Sequence, residues 1–420
     1  MHTIEVVAAA LFALALVHTF STKYFERLAH RHPRHAGLLH LLGEVEVVFG
    51  FWAAVLVLAM AAIGGGAQAI AYAESRQYAE PLFVFVIMVV AASRPVVDFI
   101  QALVAAIAGA APVRTVVAQV WLCLALVPLI GSLITEPAAM TLAALMLGAL
   151  VFRPGIPERL KYGALGVLFV NISVGGTLTS FAAPPVLMVA STWNWDSAFM
   201  LAHFGWRAVI AVLINATVMT LVLRRHLLDL PAAAAPVGVE AGAARVPGIV
   251  ILIHLAFLAG VVAFAHHPVI FLGLFLLFLG FTQAYARYQA PLILKEALLV
   301  GFFLAGLVVL GGLQQWWLQP IVSSLQPTAL FFGALGLTAI TDNAALTYLG
   351  SLIAGISDPA KYMLVAGAVA GGGLTVIANA PNPAGIALLR RGFNDESIGA
   401  GGLLLGAALP TAVAAVMFLV

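Results

Sequence analysis

A succession of long apolar stretches, joined by short polar loops, constrains the fold of this chain more than any other feature. Hydrophobic residues make up 63% of the chain and charged residues 9%, whereas soluble domains carry about 25% charged residues. We therefore expect an all-α polytopic membrane protein whose surroundings are mainly lipid. Crossing about 30 Å of hydrocarbon takes roughly 20 helical residues. This length predicts about ten crossings, at 3–20, 41–63, 81–110, 163–191, 199–223, 247–264, 268–286, 292–312, 361–389 and 398–420.

Two further apolar segments differ from the ten because polar residues interrupt them near the middle. Residues 116–151 carry Thr135-Glu136-Pro137, and residues 326–356 carry Thr341-Asp342-Asn343. Non-helical backbone at membrane depth is tolerated only where protein or a water-filled cavity surrounds it. We predict that each segment is a re-entrant hairpin, with two half-depth helices that meet at a polar tip.

The distribution of basic residues predicts the orientation. With the N-terminus outside, the inside loops hold 15 of the 19 lysines and arginines. Cytoplasmic loops carry such an excess. We therefore expect both termini outside, in a cell inner membrane. The run from Ile4 to Phe20 has neither a basic start nor a small-residue cleavage site, which favours a retained helix over a signal peptide.

Two parts of the sequence resemble each other and predict an internal repeat. The string TEPAAMT at 135–141 aligns with TDNAALT at 341–347, which pairs Glu136 with Asp342. Downstream, GGTLTSFAAPP at 175–185 aligns with GGGLTVIANAPNP at 371–383. The orientation places the two hairpin mouths on opposite sides. We predict two inverted-topology repeats, 1–223 and 247–420, joined by an Ala-, Pro- and Gly-rich cytoplasmic linker at 224–246.

The glycines and prolines downstream of each hairpin predict discontinuous helices at 163–191 and 361–389. Glycine lowers helix stability, and proline removes a donor and collides with the preceding turn. Unwound backbone in a membrane offers carbonyls to cations and amides to anions. We therefore expect each break to face a hairpin tip and to form part of a binding site.

This pattern resembles the ion transporter superfamily, which includes divalent-anion/sodium symporters, arsenite carriers and Na+/H+ antiporters. Those proteins carry a Ser-Asn-Thr-type tip and a Gly-Gly-x-x-Thr…Pro-Pro-Asn break in each half. The stretch at about 80–420 carries the resemblance, and HLLGEVEVVFG at 40–50 adds to it. The tips here are acidic, which is most similar to the Na+/H+ antiporter branch. The resemblance implies a transporter with Na+ and H+ as transported ions, and neither an enzyme nor a cofactor-dependent protein.

The acidic tips provide the candidate ion-binding residues. A carboxylate in a membrane segment is costly and by default a functional hypothesis. Glu136 and Asp342 are the two acids, and the hydroxyls and amides predicted to accompany them are Thr135, Thr179, Thr341, Asn343, Thr375, Asn379 and Asn382. We place Na+ at Asp342, Asn343 and Asn379 as a hypothesis, because the second tip is richer in ligands. The alternative is a protonated acid that caps a half-helix.

Four charged residues outside the tips are candidates for a proton path. Arg94 and Asp98 lie four residues apart on one helix face, and this spacing favours a neutralising pair over a relay. Glu44 and Glu46 lie near the inner end of the second span and point to different sides of a helix. At most one of these two glutamates therefore faces the interior.

The sequence leaves three functions open. A sodium–proton antiporter that works by alternating access explains the acidic tips best, and a sodium-coupled dicarboxylate or arsenite-like carrier is the alternative within transport. A histidine-rich membrane enzyme is the alternative from another class, because His30, His32, His35 and His40 cluster. Lipid and small cations are the expected partners; nucleic acid is not, since net charge is only +2 and no basic stripe appears. A homodimer is left open.

Overall fold

The computed structural model describes residues 2–229 and 245–420, and within these ranges its regular structure is helical. Residues 230–244 of the predicted linker lie outside the described residues. The all-α architecture predicted from the apolar stretches is confirmed. Residues 224–228, at the start of the predicted linker, instead continue the preceding helix.

The first half of the chain contains fourteen α-helices within its described residues. They are α1 (His2–Phe20), α2 (Thr22–Arg31), α3 (Ala36–Gly43), α4 (Val45–Gly64), α5 (Gly66–Glu74), α6 (Ala79–Ala91), α7 (Arg94–Ala110), α8 (Thr115–Leu124), α9 (Leu126–Ile134), α10 (Glu136–Leu150), α11 (Glu158–Gly175), α12 (Pro184–Trp193), α13 (Ser197–Met200) and α14 (Trp206–Leu228). A π-helical turn, Leu201–Gly205, joins α13 to α14.

Nine α-helices follow after the gap. They are α15 (Gly248–Ala263), α16 (Pro268–Ala284), α17 (Leu294–Gly311), α18 (Gln315–Ser323), α19 (Pro327–Thr338), α20 (Asn343–Ser351), α21 (Asp358–Gly371), α22 (Asn382–Leu389) and α23 (Ala400–Leu419). Short 3₁₀ turns, Gly176–Leu178 and Val376–Ala378, lie between α11 and α12 and between α21 and α22.

Length and apolar composition support five to seven membrane spans among the described residues. Five single helices qualify, and two bent pairs raise the total to seven if each pair is one span. The ten crossings expected from the sequence are therefore not confirmed. One reason is that α15 and α16 have 16 and 17 residues, which is short of the roughly 20 that span hydrocarbon. Another is that 163–191 and 361–389 each divide into two helices.

The stretch 81–110 differs from its prediction as one continuous span. It bends by 63° between α6 and α7. Ser93 lies at the bend, where its hydroxyl donates to the carbonyl of Val90 at 2.7 Å, and Pro95 is the second residue of α7. The ring of Pro95 lacks an amide hydrogen, so a helix begins there more readily than it continues through.

The two halves pack against each other in a reciprocal way. Helix α12, after the first break, packs on α20 of the second hairpin, and α22, after the second break, packs on α10 of the first hairpin. Within each half, the helix that leads into the tip packs on the helix that precedes the break. These pairs are α9 on α11 and α19 on α21. The hairpin tips and the breaks are thereby brought together in the middle of the molecule.

Glycines allow the closest helix pairs to approach backbone to backbone. A Cβ added at Gly306 of α17 would collide with the backbone at Gly50 of α4, and one added at Gly166 of α11 would collide with the backbone at Gly406 of α23. Small residues at helix crossings are typical of membrane proteins, where dispersion contacts between close backbones replace the hydrophobic effect. Close packing at these two crossings fixes α4 against α17 and α11 against α23.

Candidate functional site

The tip of the first hairpin is a single residue with a strained backbone between two helices. Helix α9 ends at Ile134, Thr135 adopts φ 99°, and α10 begins at Glu136. Positive φ in a β-branched residue is a genuine outlier, and such strain costs on the order of 1–3 kcal/mol and clusters at binding sites. The amide of Thr135 donates to the carbonyl of Gly131 at 2.7 Å, which closes the end of α9.

Glu136 is fully buried, with 0% of its side chain exposed. Its Oε2 accepts a hydrogen bond of 2.6 Å from Nδ2 of Asn379, which lies in the second break. Its Oε1 has no hydrogen-bond partner among the described residues. Gly176 of the first break lies against this oxygen, and a Cβ there would collide with it. Glu136 is thus a buried carboxyl group held between the breaks of both halves.

Asp342 at the second tip has a different surrounding. Its Oδ1 accepts from the amides of Ala344 at 2.8 Å and Ala345 at 3.1 Å, so Asp342 is the N-cap of α20. The capping role is the alternative that the sequence left open for an acid at a tip, and here it occupies one carboxylate oxygen. Asp342 is half-buried and lines a small cavity.

The helix boundaries pair the residues of the two tips differently from the sequence alignment, with a shift of one residue. Helix α10 begins at Glu136, whereas α20 begins at Asn343, so Thr135 and Asp342 are the cap residues. The threonine of each break supports this register: Thr179 donates to the carbonyl of Ser132 at 2.6 Å, and Thr375 donates to that of Ala339 at 2.9 Å. Counting from these carbonyls, Glu136 corresponds to Asn343, not to Asp342 as the sequence alignment has it.

Other predicted site residues hydrogen-bond to the backbone of the second break or pack against it. Asn382 Nδ2 donates to the carbonyls of Gly372 and Thr375, both at 2.8 Å, and thereby holds the second break. Asn343 is fully buried, and its amide lies beside Gly372, where an added Cβ would crowd it. Thr341 is half-buried at the rim of the small cavity. The structure thus brings Asn343, Asn382 and Thr375 around one break.

Several buried side-chain atoms around the tips and the second break have no hydrogen-bond partner in the part of the chain that the structure describes. They are Thr135 Oγ1, Glu136 Oε1, Thr338 Oγ1, Asn343 Oδ1 and Nδ2, Asn379 Oδ1 and Asn382 Oδ1. A buried polar group without a partner costs about 1–3 kcal/mol. Six of these seven atoms are oxygens, and oxygen is the ligand atom of hard cations. The composition of this cluster fits a small cation.

The four charged residues predicted outside the tips have three different surroundings. Two of them pair with each other, one pairs with a lysine, and one lines a cavity. Arg94 Nε lies 3.4 Å from Asp98 Oδ2, as their spacing predicts. Lys295 Nζ lies 3.0 Å from Glu44 Oε1. Glu46 instead lines the small cavity that Asp342 also lines. Glu44 and Glu46 therefore face different surroundings. They do not share one helix as the sequence predicted, because Glu44 is the extended N-cap residue of α4 and Glu46 lies in its first turn.

A second, larger cavity reaches the first hairpin. Its volume is about 370 Å³, and it is lined by Arg94, Asp98, Thr141 and Gln289, among others. Ala138, two residues after Glu136, also lines it. This places the Arg94–Asp98 pair in a mainly apolar opening along α10, the helix that begins at Glu136.

Ser132 belongs to the site and was not among the residues predicted from the sequence. It is fully buried; its Oγ donates to the carbonyl of Gly175 at 2.6 Å and accepts from the amide of Leu178 at 2.9 Å. These bonds satisfy backbone groups that the first break leaves unpaired. A single serine in an apolar run, three residues before the tip, was the only sequence signal for this role.

A buried carboxyl group between two broken helices is typical of helical membrane proteins that conduct or transport ions. A family model described as "Putative Na+/H+ antiporter" matches residues 3–420. The chain therefore belongs to this family of transporters. No curated protein matches the chain.

Proposed function

We propose that this protein exchanges Na+ or Li+ for H+ across a cell inner membrane by alternating access. The single observation that carries the proposal is the contact of Glu136 with Asn379, because it joins the acidic tip of one half to the break of the other. Family membership supports antiport in general. The geometry supports Glu136 as the group at which the two ions are exchanged.

The physical basis is that a fully buried carboxylate needs a neutralising partner. No lysine or arginine lies within an ion-pair distance of Glu136 among the described residues, whereas Asp98, Glu44 and Asp358 each have one. A proton neutralises Glu136 by binding its oxygen, and a sodium ion does so by coordination. Because one carboxyl group cannot hold both, binding of one ion releases the other. This competition is the chemistry of an exchanger.

Asn379 sets the geometry of this exchange. An ionised carboxylate only accepts hydrogen bonds, and the amide NH2 group only donates. The 2.6 Å bond therefore holds Oε2 as an acceptor, both in the ionised form and in a protonated form that carries its proton on Oε1. Oε1 remains available to a cation. Glu136 is also the first residue of α10, where the helix dipole favours negative charge.

We further propose that the two halves are inverted repeats and that the tips and breaks form the moving site. The reciprocal packing of α12 on α20 and of α22 on α10 supports this arrangement. On this proposal, residues 116–151 and 326–356 enter the membrane from opposite sides. The orientation with both termini outside rests on the distribution of basic residues in the loops.

Ion flux in vesicles tests the function. Purified protein is reconstituted with a pH-sensitive dye inside, and Na+, Li+, K+ and dicarboxylates are added in turn. We expect Na+ or Li+ to drive proton movement in the opposite direction, with a half-saturating Na+ concentration that increases as the pH is lowered. Uptake of a dicarboxylate together with Na+, without proton exchange, would show the anion carrier instead.

Labelling from each side of the membrane tests the inverted arrangement. The native Cys123 is buried and should not react. Exposed mouth positions are Pro154 in the first half and Ser357 in the second. We expect Pro154→Cys to react with an impermeant maleimide only after the cells are opened, and Ser357→Cys to react in intact cells. Reaction of both positions from one side would refute the inverted arrangement.

A further inference from the structure

The connection between α1 and α4 is a pair of short helices, α2 and α3, within residues 21–43. Helices α1 and α4 pack against each other, and both are long and apolar enough to cross a membrane. Helices α2 and α3 pack on each other and link the two spans, so they lie together at one end of both. This α2–α3 segment is therefore at the surface of the membrane that α1 and α4 cross.

Helix α2 carries its basic and its apolar residues on different faces. Lys23, Arg27 and Arg31 are spaced by four residues, which places their positions along one face of the helix. Phe25 and Ala29 belong to the opposite face. Ala29 is buried, and the ring of Phe25 lies against a histidine ring of α1, with 4.6 Å between the centroids. The apolar face thus packs on the protein, and the basic face is turned outward.

The arginines at the end of this basic face lack a counter-charge. Arg31 closes α2, Arg34 lies in the 3₁₀ turn that follows, and both are exposed. Neither makes an ion pair or a side-chain hydrogen bond with a described residue. Two lysines predicted on the same side of the membrane differ: Lys295 pairs with a glutamate at 3.0 Å, and Lys161 donates to a backbone carbonyl at 2.5 Å. The positive charge at Arg31 and Arg34 is therefore available to a partner.

Large apolar side chains are exposed at the same end of the two spans. Phe20 and Tyr24 lie four residues apart across the junction of α1 and α2, and Leu38 and Leu41 lie one turn apart on α3. Between 41% and 64% of each residue is exposed. Exposed rings and aliphatic side chains next to cations are typical of a helix at the membrane interface, where the apolar groups enter lipid and the charges stay among the headgroups.

The charge of the segment indicates which lipid it contacts. Residues 21–43 hold four lysines and arginines and a single acid, Glu26. A cluster of four to eight basic residues next to a span is typical of a site for anionic headgroups. Charge alone would also suit an acidic protein, but the exposed apolar side chains lie at the ends of two spans, where lipid is the surrounding medium.

We infer that the α2–α3 segment is a binding surface for the headgroups of anionic phospholipids, with Arg31 and Arg34 as its main contacts. The inference goes beyond ion exchange and does not depend on it. The orientation proposed above places this surface in the cytoplasmic leaflet, which is the leaflet with the negative surface potential.

Energy transfer from a fluorophore beside this surface to a labelled lipid tests the inference in the full-length protein. The donor is attached at Gly37→Cys, because Gly37 is exposed and a Cβ there meets no atom within 4 Å, while the native Cys123 is buried. Nanodiscs of phosphatidylcholine contain a small, fixed fraction of acceptor lipid, either phosphatidylglycerol or phosphatidylcholine, labelled on an acyl chain. We expect phosphatidylglycerol to be enriched about tenfold near the donor, since each basic residue strengthens association about fivefold.

Three double variants separate a headgroup contact from general attraction. Arg31→Gln with Arg34→Gln should lower the enrichment at least about fivefold. Arg31→Lys with Arg34→Lys keeps the charge and should retain most of it. Arg390→Gln with Arg391→Gln is the matched control, because it removes two exposed arginines from another loop that is predicted inside, and it should leave the enrichment unchanged.

Equal energy transfer to the two labelled lipids in the wild-type protein would overturn the inference and leave an acidic protein as the candidate partner. An enrichment that Arg31→Gln with Arg34→Gln does not lower would overturn it too. So would an equal loss in the control at Arg390 and Arg391, because net charge alone would then attract the lipid. The measurement uses no ion gradient, so its outcome is separate from that of the Na+-driven proton flux that tests the proposed function.

Discussion

The two hairpin tips carry nearly the same residues and use them differently. At the second tip, Asp342 caps α20 by accepting from two backbone amides, and it reaches a cavity. At the first tip, the cap position belongs to Thr135, whose hydroxyl makes no hydrogen bond with any described residue, and the acid is the first residue of α10. Glu136 therefore extends to Asn379 instead of to its own helix.

The comparison shows that one residue of register decides what an acid at a helix start can do. A side chain at the N-cap is placed to accept from the amides of the first turn. A side chain one position later projects away from those amides and is available to the rest of the protein. We infer that the second tip uses its acid partly for structure, whereas the first tip reserves its acid for an ion.

The largest difference should appear when each carboxylate is neutralised. We expect Glu136→Gln to reduce Na+-driven proton flux in vesicles by about 100-fold or more, because glutamine cannot exchange a proton for a cation. Asp342→Asn keeps the cap and should reduce flux much less, mainly through about a tenfold higher half-saturating Na+ concentration.

The exposed Glu296→Gln is the control and should transport as the wild type does. Size-exclusion profiles would verify that each variant is folded. If Asp342→Asn abolished exchange and Glu136→Gln did not, the roles assigned to the two tips would be reversed.

Alanine substitutions at one glycine of each break compare how ion flux responds to an added methyl group near each tip. A Cβ at Gly176 would collide with Oε1 of Glu136, whereas one at Gly372 would collide with Ser173 and Asn343. We expect Gly176→Ala to lower the Na+-driven flux about 10- to 100-fold, because overpacking costs about 1–3 kcal/mol at the ion-binding oxygen itself. Gly372→Ala should mainly lower thermal stability.

Gly273→Ala provides the control, since a Cβ there meets no atom within 4 Å. Wild-type flux in Gly176→Ala, measured with the same vesicles, would show that Oε1 of Glu136 does not bind the cation.

Removal of the Asn379 side-chain amide, which links the two halves, should have an intermediate effect on Na+-driven proton flux. Asn379→Ala deletes the 2.6 Å bond to Glu136 and a buried amide oxygen that has no hydrogen-bond partner among the described residues. Hydrogen bonds to charged groups contribute about 1.5–3 kcal/mol, so we expect roughly a tenfold or larger increase in the half-saturating Na+ concentration. An unchanged Na+ dependence, measured by the initial rate of dye response, would argue against a role for Asn379 in ion binding.

The smallest expected effect concerns stability at the second tip. Asp342→Ala removes the cap of α20 and should lower the free energy of unfolding by about 1 kcal/mol, whereas Asp342→Asn should preserve most of it. Thermal unfolding of the two variants in the same detergent measures this difference. Equal melting temperatures would mean that the bonds to the amides of Ala344 and Ala345 contribute no stability.

The apolar composition alone was sufficient to predict the helical, multi-pass architecture, because lipid forces every backbone group in a span to be paired within helices. The positions of the breaks also followed from the sequence. Gly175-Gly176 and Pro184-Pro185 lie close together in one apolar stretch, and glycine and proline both weaken the turn of helix in which they lie. The candidate acids followed from the cost of charge in an apolar run.

Only the tertiary structure decided which polar groups meet. The bond between Glu136 and Asn379 joins residues that are far apart in the sequence, and no local pattern indicates such a contact. The register at the tips was likewise invisible in the sequence, because the matching Ala-Ala pairs aligned Glu136 with Asp342. Helix starts depend on which residue accepts the first free amides, and that choice is made by the packing around each tip.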